Sequence, residues 1–133
     1  MFHVKHMATD KKIIGNKGED LVTRFLMKQG YKVIQRNYLK PWGEIDIVAK
    51  NKDFIHFIEV KAKEITDEKY KNSSSYRPED HMHPWKIRRF KRIIETWIME
   101  KDYEGNWQID VAIAYVSPNK ELESVDMFWD IVL

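Results

Sequence analysis

Cysteine is absent from this chain. That excludes disulfides and thiolate chemistry, and it fits a reducing compartment, so a cytoplasmic protein is expected. Long apolar runs are missing too. No stretch approaches the roughly 18 apolar residues that a membrane-spanning helix needs, so no membrane role is expected. The opening MFHVKHM has no apolar core segment and does not read as a signal peptide. Residues 1–9 are expected to be a flexible tail, with His3 and His6 not acting as ligands. A large excess of one charge is also lacking. The 23 basic and 21 acidic residues leave a formal charge of +2, which neither announces nor excludes a nucleic-acid partner; the distribution of charge matters more. There is no internal repeat, no phosphate-binding glycine loop and no dinucleotide fingerprint.

What is present is enough to fold. The chain has 133 residues, 43% of them hydrophobic, including five Trp, six Tyr and six Phe. One domain over residues 10–133 is expected. Its centre is the stretch Gly43 to Lys63, GEIDIVAKNKDFIHFIEVKAK. Glu44–Ala49 and Phe54–Ala62 read as strands, joined by the turn formers Asn51, Lys52 and Asp53. Alternation puts Ile45, Ile47 and Ala49 on one face of the first strand, and Glu44, Asp46 and Val48 on the other. In the second strand Phe54, His56, Ile58, Val60 and Ala62 share one face; Ile55, Phe57, Glu59 and Lys61 share the other. Both faces are apolar in its first half, as in a central strand.

Asp46, Glu59 and Lys61 are thereby expected to converge at one end of the hairpin. Buried charges cost several kcal/mol each unless paired or bound to metal. Two neighbouring carboxylates are kept ionised by a divalent cation, and oxygen ligands suit Mg²⁺ or Mn²⁺. An adjacent lysine can orient a water and help deprotonate it, which together is equipment for attack on a phosphodiester. The plainer alternative is a structural ion pair between Glu59 and Lys61.

The remaining elements follow from period and caps. Asp10–Gln29 reads as a helix with Ile14, Leu21, Val22, Phe25 and Leu26 in a stripe, and Gly30 at its end. Gly15 and Gly18 near that stripe suggest a close approach to the backbone. Glu19 lies at the stripe's margin. Tyr31–Tyr38 reads as a strand that turns through Leu39–Gly43, and Arg36, Lys40 and Trp42 are candidates to hold phosphate or stack on a base, or else ordinary surface residues. Residues 63–83 read as a long polar loop at the mouth of the site; His81 and His83 within it are not expected to be ligands. Pro84–Asp102 reads as a second helix with Phe90, Ile93, Ile94, Trp97 and Ile98 buried. Its early cations Lys86, Arg88, Arg89, Lys91 and Arg92 oppose the helix dipole, which points to phosphate or to a solvated basic face. Lys86 lies on the buried stripe and is expected at the edge of the site. Trp107–Val116 is a further strand, with Asp110 in a structural role, and Leu122–Leu133 gives a last strand or irregular edge.

Asp46 followed by Glu59-Val60-Lys61 resembles the core motif of PD-(D/E)xK nucleases. Gly15, Gly18-Glu19, Gly30-Tyr31, Arg36-Asn37-Tyr38, Gly43-Glu44-Ile45-Asp46, Phe57-Ile58-Glu59-Val60-Lys61, Lys86 and Asp110 resemble, in order, the YraN family of Holliday-junction-resolvase-like proteins. The segment Glu64–His83 departs from that pattern. The resemblance implies an α/β, restriction-endonuclease-like core: a mixed central sheet flanked by helices in the order αβββαβ(β). It implies a Mg²⁺- or Mn²⁺-dependent endonuclease acting on DNA, with branched or junction DNA as a candidate substrate; resolving a junction would need two sites on a two-fold symmetric homodimer. Catalysis would rest on Glu19, Asp46, Glu59 and Lys61. The metal would be held by Asp46, Glu59, the Val60 carbonyl and Glu19, and Arg36, Lys86, Arg88 and Arg89 would bind the nucleic acid. The alternatives are a nucleic-acid-binding module that keeps the fold without cutting, and a protein-interaction domain.

Overall fold

A computed structural model describes residues 10–66 and 83–131. The expected tail, His81 and the body of the polar segment at 67–82 lie outside the described residues. The elements are α1 (Asp10–Lys28), β1 (Lys32–Lys40), β2 (Gly43–Asn51), β3 (Phe54–Glu64), α2 (Pro84–Lys101), β4 (Asn106–Val116) and β5 (Ser124–Phe128), with a 3-10 turn at Lys120–Leu122. The order agrees with the αβββαβ(β) expectation. No helix among the described residues is long and apolar enough to cross a membrane.

The five strands lie in sequence order, β1-β2-β3-β4-β5. β1, β2 and β3 form an antiparallel meander, β4 runs parallel to β3, and β5 returns antiparallel to β4. The sheet is therefore mixed, and β3 is its middle strand, as its two apolar faces require. Reaching a parallel neighbour needs a long crossover, and the connection that contains α2 supplies it.

The helices cover opposite faces. Val22 and Leu26 of α1 pack on Ile47, Ala49, Ile58, Ala112 and Ala114. Phe90, Ile93, Ile94 and Trp97 of α2 pack on Ile45, Val48, Ile55, Phe57 and Ile109. Small residues in β3 and β4 let α1 come in low: a Cβ on Gly18 would sit 2.6 Å from the Cβ of Ala62 and 3.3 Å from that of Ala114. That is the close approach the helix glycines suggest, and it is confined to Gly18. Gly30, at φ +92°, turns the chain out of α1 where a side chain would be strained.

Two boundaries differ from the sequence reading. β3 continues through Lys63 and Glu64, and Ile65 is buried, its N–H bound to the Val116 carbonyl. The polar segment therefore starts later than residue 63, because pairing with β4 runs to the end of that strand. At the other end, Ile45 lies with Val48 in the α2-side cluster, not with Ile47 and Ala49. Strict alternation would separate Ile45 from Val48, so the pleat breaks at Asp46.

Candidate functional site

That break builds the site. β2 and β3 are paired from Asn51↔Phe54 to Ile47↔Ile58, and the register stops there. Beyond it, the Val60 N–H donates to Asp46 Oδ2 at 2.8 Å. A side chain thus replaces the backbone acceptor that a neighbouring strand would offer. Across β1 the same region is irregular. Asn37 sits at φ +53° between Arg36↔Ile47 and Tyr38↔Ile45, a left-handed conformation that asparagine tolerates better than most residues.

Two charged groups meet at this end of the sheet. The first is acidic. One carboxylate oxygen from each of Glu19 on α1 and Glu44 and Asp46 on β2 lies within 4.8 Å of the others. Burial, opposed by the Val60 amide and reinforced by Glu44 and Glu19, pushes the Asp46 carboxyl up to about 8. Glu19 is raised in the same direction by burial; Arg36 works against this and Glu44 adds to it. Asn37 also hydrogen-bonds the Glu19 side chain.

The second group is mixed in sign. Glu59 Oε1 lies 3.9 Å from Lys61 Nζ and 3.5 Å from Lys86 Nζ. Burial holds the Lys61 ammonium below its usual range, and neighbouring Lys86 lowers it further against the pull of Glu59 and Asp46. Lys61 is thus a readier proton acceptor than an exposed lysine. Lys86, Arg89, Glu44, Glu59 and Gly43 line an open cleft of about 170 Å³ on the α2 side.

The expected residues divide as follows. Glu19 and Asp46 are brought together, as are Glu59, Lys61 and Lys86. The hairpin faces would have put Asp46 with Glu59 and Lys61; instead its carboxyl clusters with Glu19 and Glu44, because the strands part at that point. Val60 is tied to the site through its amide. Arg89 lines the cleft and lies over Trp85, whereas Arg88 is exposed away from it. Arg36 is turned onto acids, 2.9 Å from Asp20 and 3.6 Å from Glu19, so it braces the acidic cluster. Lys40 pairs with Glu100 at 2.7 Å. Trp42 donates its indole N–H to Thr96 and lies under Arg92, packed against the α2-side core. His83 is the exposed residue before α2.

Asp110 is structural. It is fully buried and accepts from Gln108 Nε2 and the Asp130 N–H, with His56 Nδ1 at 2.7 Å. Two members of the site were missed from the sequence. Glu44 stood in plain view two residues before Asp46, on the same strand face. Asn37 stood within the Arg36-Asn37-Tyr38 motif of the family resemblance, but nothing in the sequence assigned it a role.

The donors present fit a hard divalent cation. They are carboxylates, close enough to repel, and one buried oxygen, Glu59 Oε2, has no hydrogen-bond partner among the described residues.

A family model described as "Uncharacterised protein family UPF0102" matches residues 18–114. The chain belongs to this family. UPF0102 is the YraN family that the Gly-Glu, GEID and IEVK motifs resemble, and the match spans every residue of the site. A UPF0102 protein of Campylobacter fetus is 30% identical over 119 residues, covering 90% of this chain and 98% of its own. One from Campylobacter lari is 29% identical with the same coverage. One from Campylobacter hominis is 32% identical over 107 residues, 80% of this chain and 84% of its own.

Proposed function

We propose that this UPF0102 protein is a metal-dependent nuclease that hydrolyses phosphodiester bonds in cytoplasmic DNA, with branched DNA as a candidate substrate. One observation carries the reading. Glu19, Glu44 and Asp46 crowd together at the point where β2 releases β3, beside Glu59 and a half-buried Lys61. A fold gains no stability from gathering like charges, so the cluster has another use.

Glu19, Glu44, Asp46 and Glu59 would hold Mg²⁺ or Mn²⁺. Such an ion, when bound, supplies Lewis acidity and offsets the charge of a phosphate among carboxylates. The chain's own groups do the rest. Val60 fixes the Asp46 carboxylate. Arg36 and Asn37 fix Glu19. Lys61, held by Glu59 and depressed by burial, can accept a proton from an attacking water and oppose the charge that grows on the phosphorus oxygens. Lys86 and Arg89 face the cleft, where they would meet a sugar–phosphate backbone.

The test is a cleavage assay with linear, flapped and four-way DNA under Mg²⁺, Mn²⁺ and EDTA. Metal-dependent product is expected from the wild type. Asp46→Ala and Lys61→Ala should lose cleavage by at least about 10³-fold, the scale of removing a main catalytic group. Equal cleavage by these variants in a clean preparation overturns the mechanism. Salt-sensitive binding without product would favour the binding-module alternative.

A further inference from the structure

Two arginines of α2 are set apart by what lies beneath them. Arg89 lies over the Trp85 ring, 5.6 Å from its centre, and Arg92 lies over the Trp42 ring at 5.1 Å. The second pair is braced. The Trp42 indole N–H donates to Thr96 Oγ1 at 3.0 Å, and that hydroxyl donates to the Arg92 carbonyl at 3.0 Å. The helix turn that carries Arg92 therefore also fixes the ring on which its guanidinium rests. A guanidinium held over an indole is positioned without engaging its N–H donors, which stay open to an oxyanion. Among the described residues no carboxylate pairs with Arg89 or Arg92, in contrast to Arg36 and Lys40 on β1.

Trp42 adjoins the site. Gly43 follows it and lines the cleft with Glu44, Glu59, Lys86 and Arg89. A Cβ on Gly43 would sit 3.1 Å from that of Ile93, so β2 begins directly beneath α2. Arg89 and Arg92, three residues apart, are neighbours on the helix surface. A row of cations thus runs from Lys86 at Glu59, through Arg89 at the cleft wall, to Arg92. No acid interrupts it: the first acid of α2 is Glu95.

We infer that Arg92, seated on Trp42, grips a phosphate of a nucleic-acid strand just outside the cleft, next to the one that Arg89 meets. Trp42 is then a positioning residue that acts through Arg92. The inference rests on the nucleic-acid part of the nuclease reading and deepens it, because it assigns the side of the cleft along which the strand runs. The arginine fork fits phosphate and carboxylate alike. Spaced cations without an interleaved acid suit a polymer with one negative charge per repeat, and the row starts beside the acidic cluster. The indole offers its face to Arg92 and not to a base.

The test is binding of a labelled DNA duplex in EDTA over a series of salt concentrations, with thermal unfolding of each variant and cleavage under Mn²⁺. Arg92→Gln should bind about fivefold or more weakly at low salt, and the slope of log K against log salt should shrink by about 0.9, the loss of one phosphate contact. Arg24→Gln, at an exposed arginine of α1, should match wild type. Arg92→Lys should keep the slope and still lose affinity. Trp42→Leu and Thr96→Val leave Arg92 its charge but not its seat, and each should weaken binding by about threefold. Neither should weaken it further in the Arg92→Gln background. Thr96→Val carries this arm of the test should Trp42→Leu melt low.

Arg92→Gln that binds as wild type does at every salt overturns the inference, while wild-type cleavage would keep the nuclease reading. Equal losses from Arg24→Gln would show a general charge effect and overturn it too. Losses from Trp42→Leu and Thr96→Val that simply add to that of Arg92→Gln remove the positioning role. Polyglutamate that displaces the duplex as well as unlabelled DNA does overturns the phosphate assignment in favour of an acidic protein. A wild type that neither binds nor cuts DNA removes the nuclease reading first, and this one with it.

Discussion

Asp46 concentrates the cost of the site in one side chain. It is an acid whose folded value, about 8, lies above its ordinary 3.8. The folded chain therefore holds its proton more tightly than the unfolded chain. The resulting stability is complete below about 4 and is lost as pH rises toward 8, opposite to the usual carboxylate. Asp46→Asn keeps an acceptor for the Val60 N–H and removes the titration. In EDTA the variant should match wild type in melting temperature near pH 4 and exceed it increasingly up to pH 8. Denaturation curves across that range decide it, and a difference that does not grow with pH would show that Asp46 is not held protonated. The lysine side is complementary. Lys61 is pressed toward neutrality by burial and Lys86, so an acid short of its charge and an amine ready for a proton stand at the same end of the sheet.

At the scale of elements, what could be read from the sequence was what repeats. The α1 stripe, the two faces of β3 and the α2 stripe each follow a fixed period, and each was found where the period placed it. β2 was legible only as far as Ile47. Its alternation breaks where Asp46 turns to Val60, and no period can announce its own interruption. The fates of Trp42, Lys40 and Arg36 were hidden for a different reason. Their partners Thr96, Glu100 and Asp20 are remote in sequence, and a cation whose partner is unknown looks the same as one that waits for phosphate. Glu59 and Lys61 were legible because two charges two residues apart on a buried strand face have few uses. Asp110 binds elements together: β4 carries it, β3 answers with His56, and the chain after β5 answers with the Asp130 N–H. Asp110→Ala leaves these donors buried without an acceptor, and should cost on the order of 3 kcal/mol in a denaturant titration. A loss under about 1 kcal/mol would mean that water replaces the carboxylate.

For the whole molecule, the near balance of 23 basic and 21 acidic residues conceals a division. Carboxylates collect between α1 and β2, and cations collect at the start of α2. An ion that binds the folded chain alone raises its stability by RT ln(1 + [L]/Kd), about 2.7 kcal/mol at a hundredfold excess over Kd. Mn²⁺ or Mg²⁺ at millimolar levels should therefore raise the melting temperature of the wild type by several degrees. Asp46→Ala and Glu59→Ala should blunt that rise. A wild-type melting temperature unmoved by either ion would remove the metal from the proposed function, whatever the assay on DNA shows.

The link from the Val60 amide to Asp46 also gives the molecule its own gauge. Whatever takes electron density from that carboxylate, a proton or a cation, weakens the hold on one main-chain hydrogen. The ¹⁵N resonance of Val60 should move in step with the occupancy of the acidic cluster, so that a single peak reads the state of the centre without substrate.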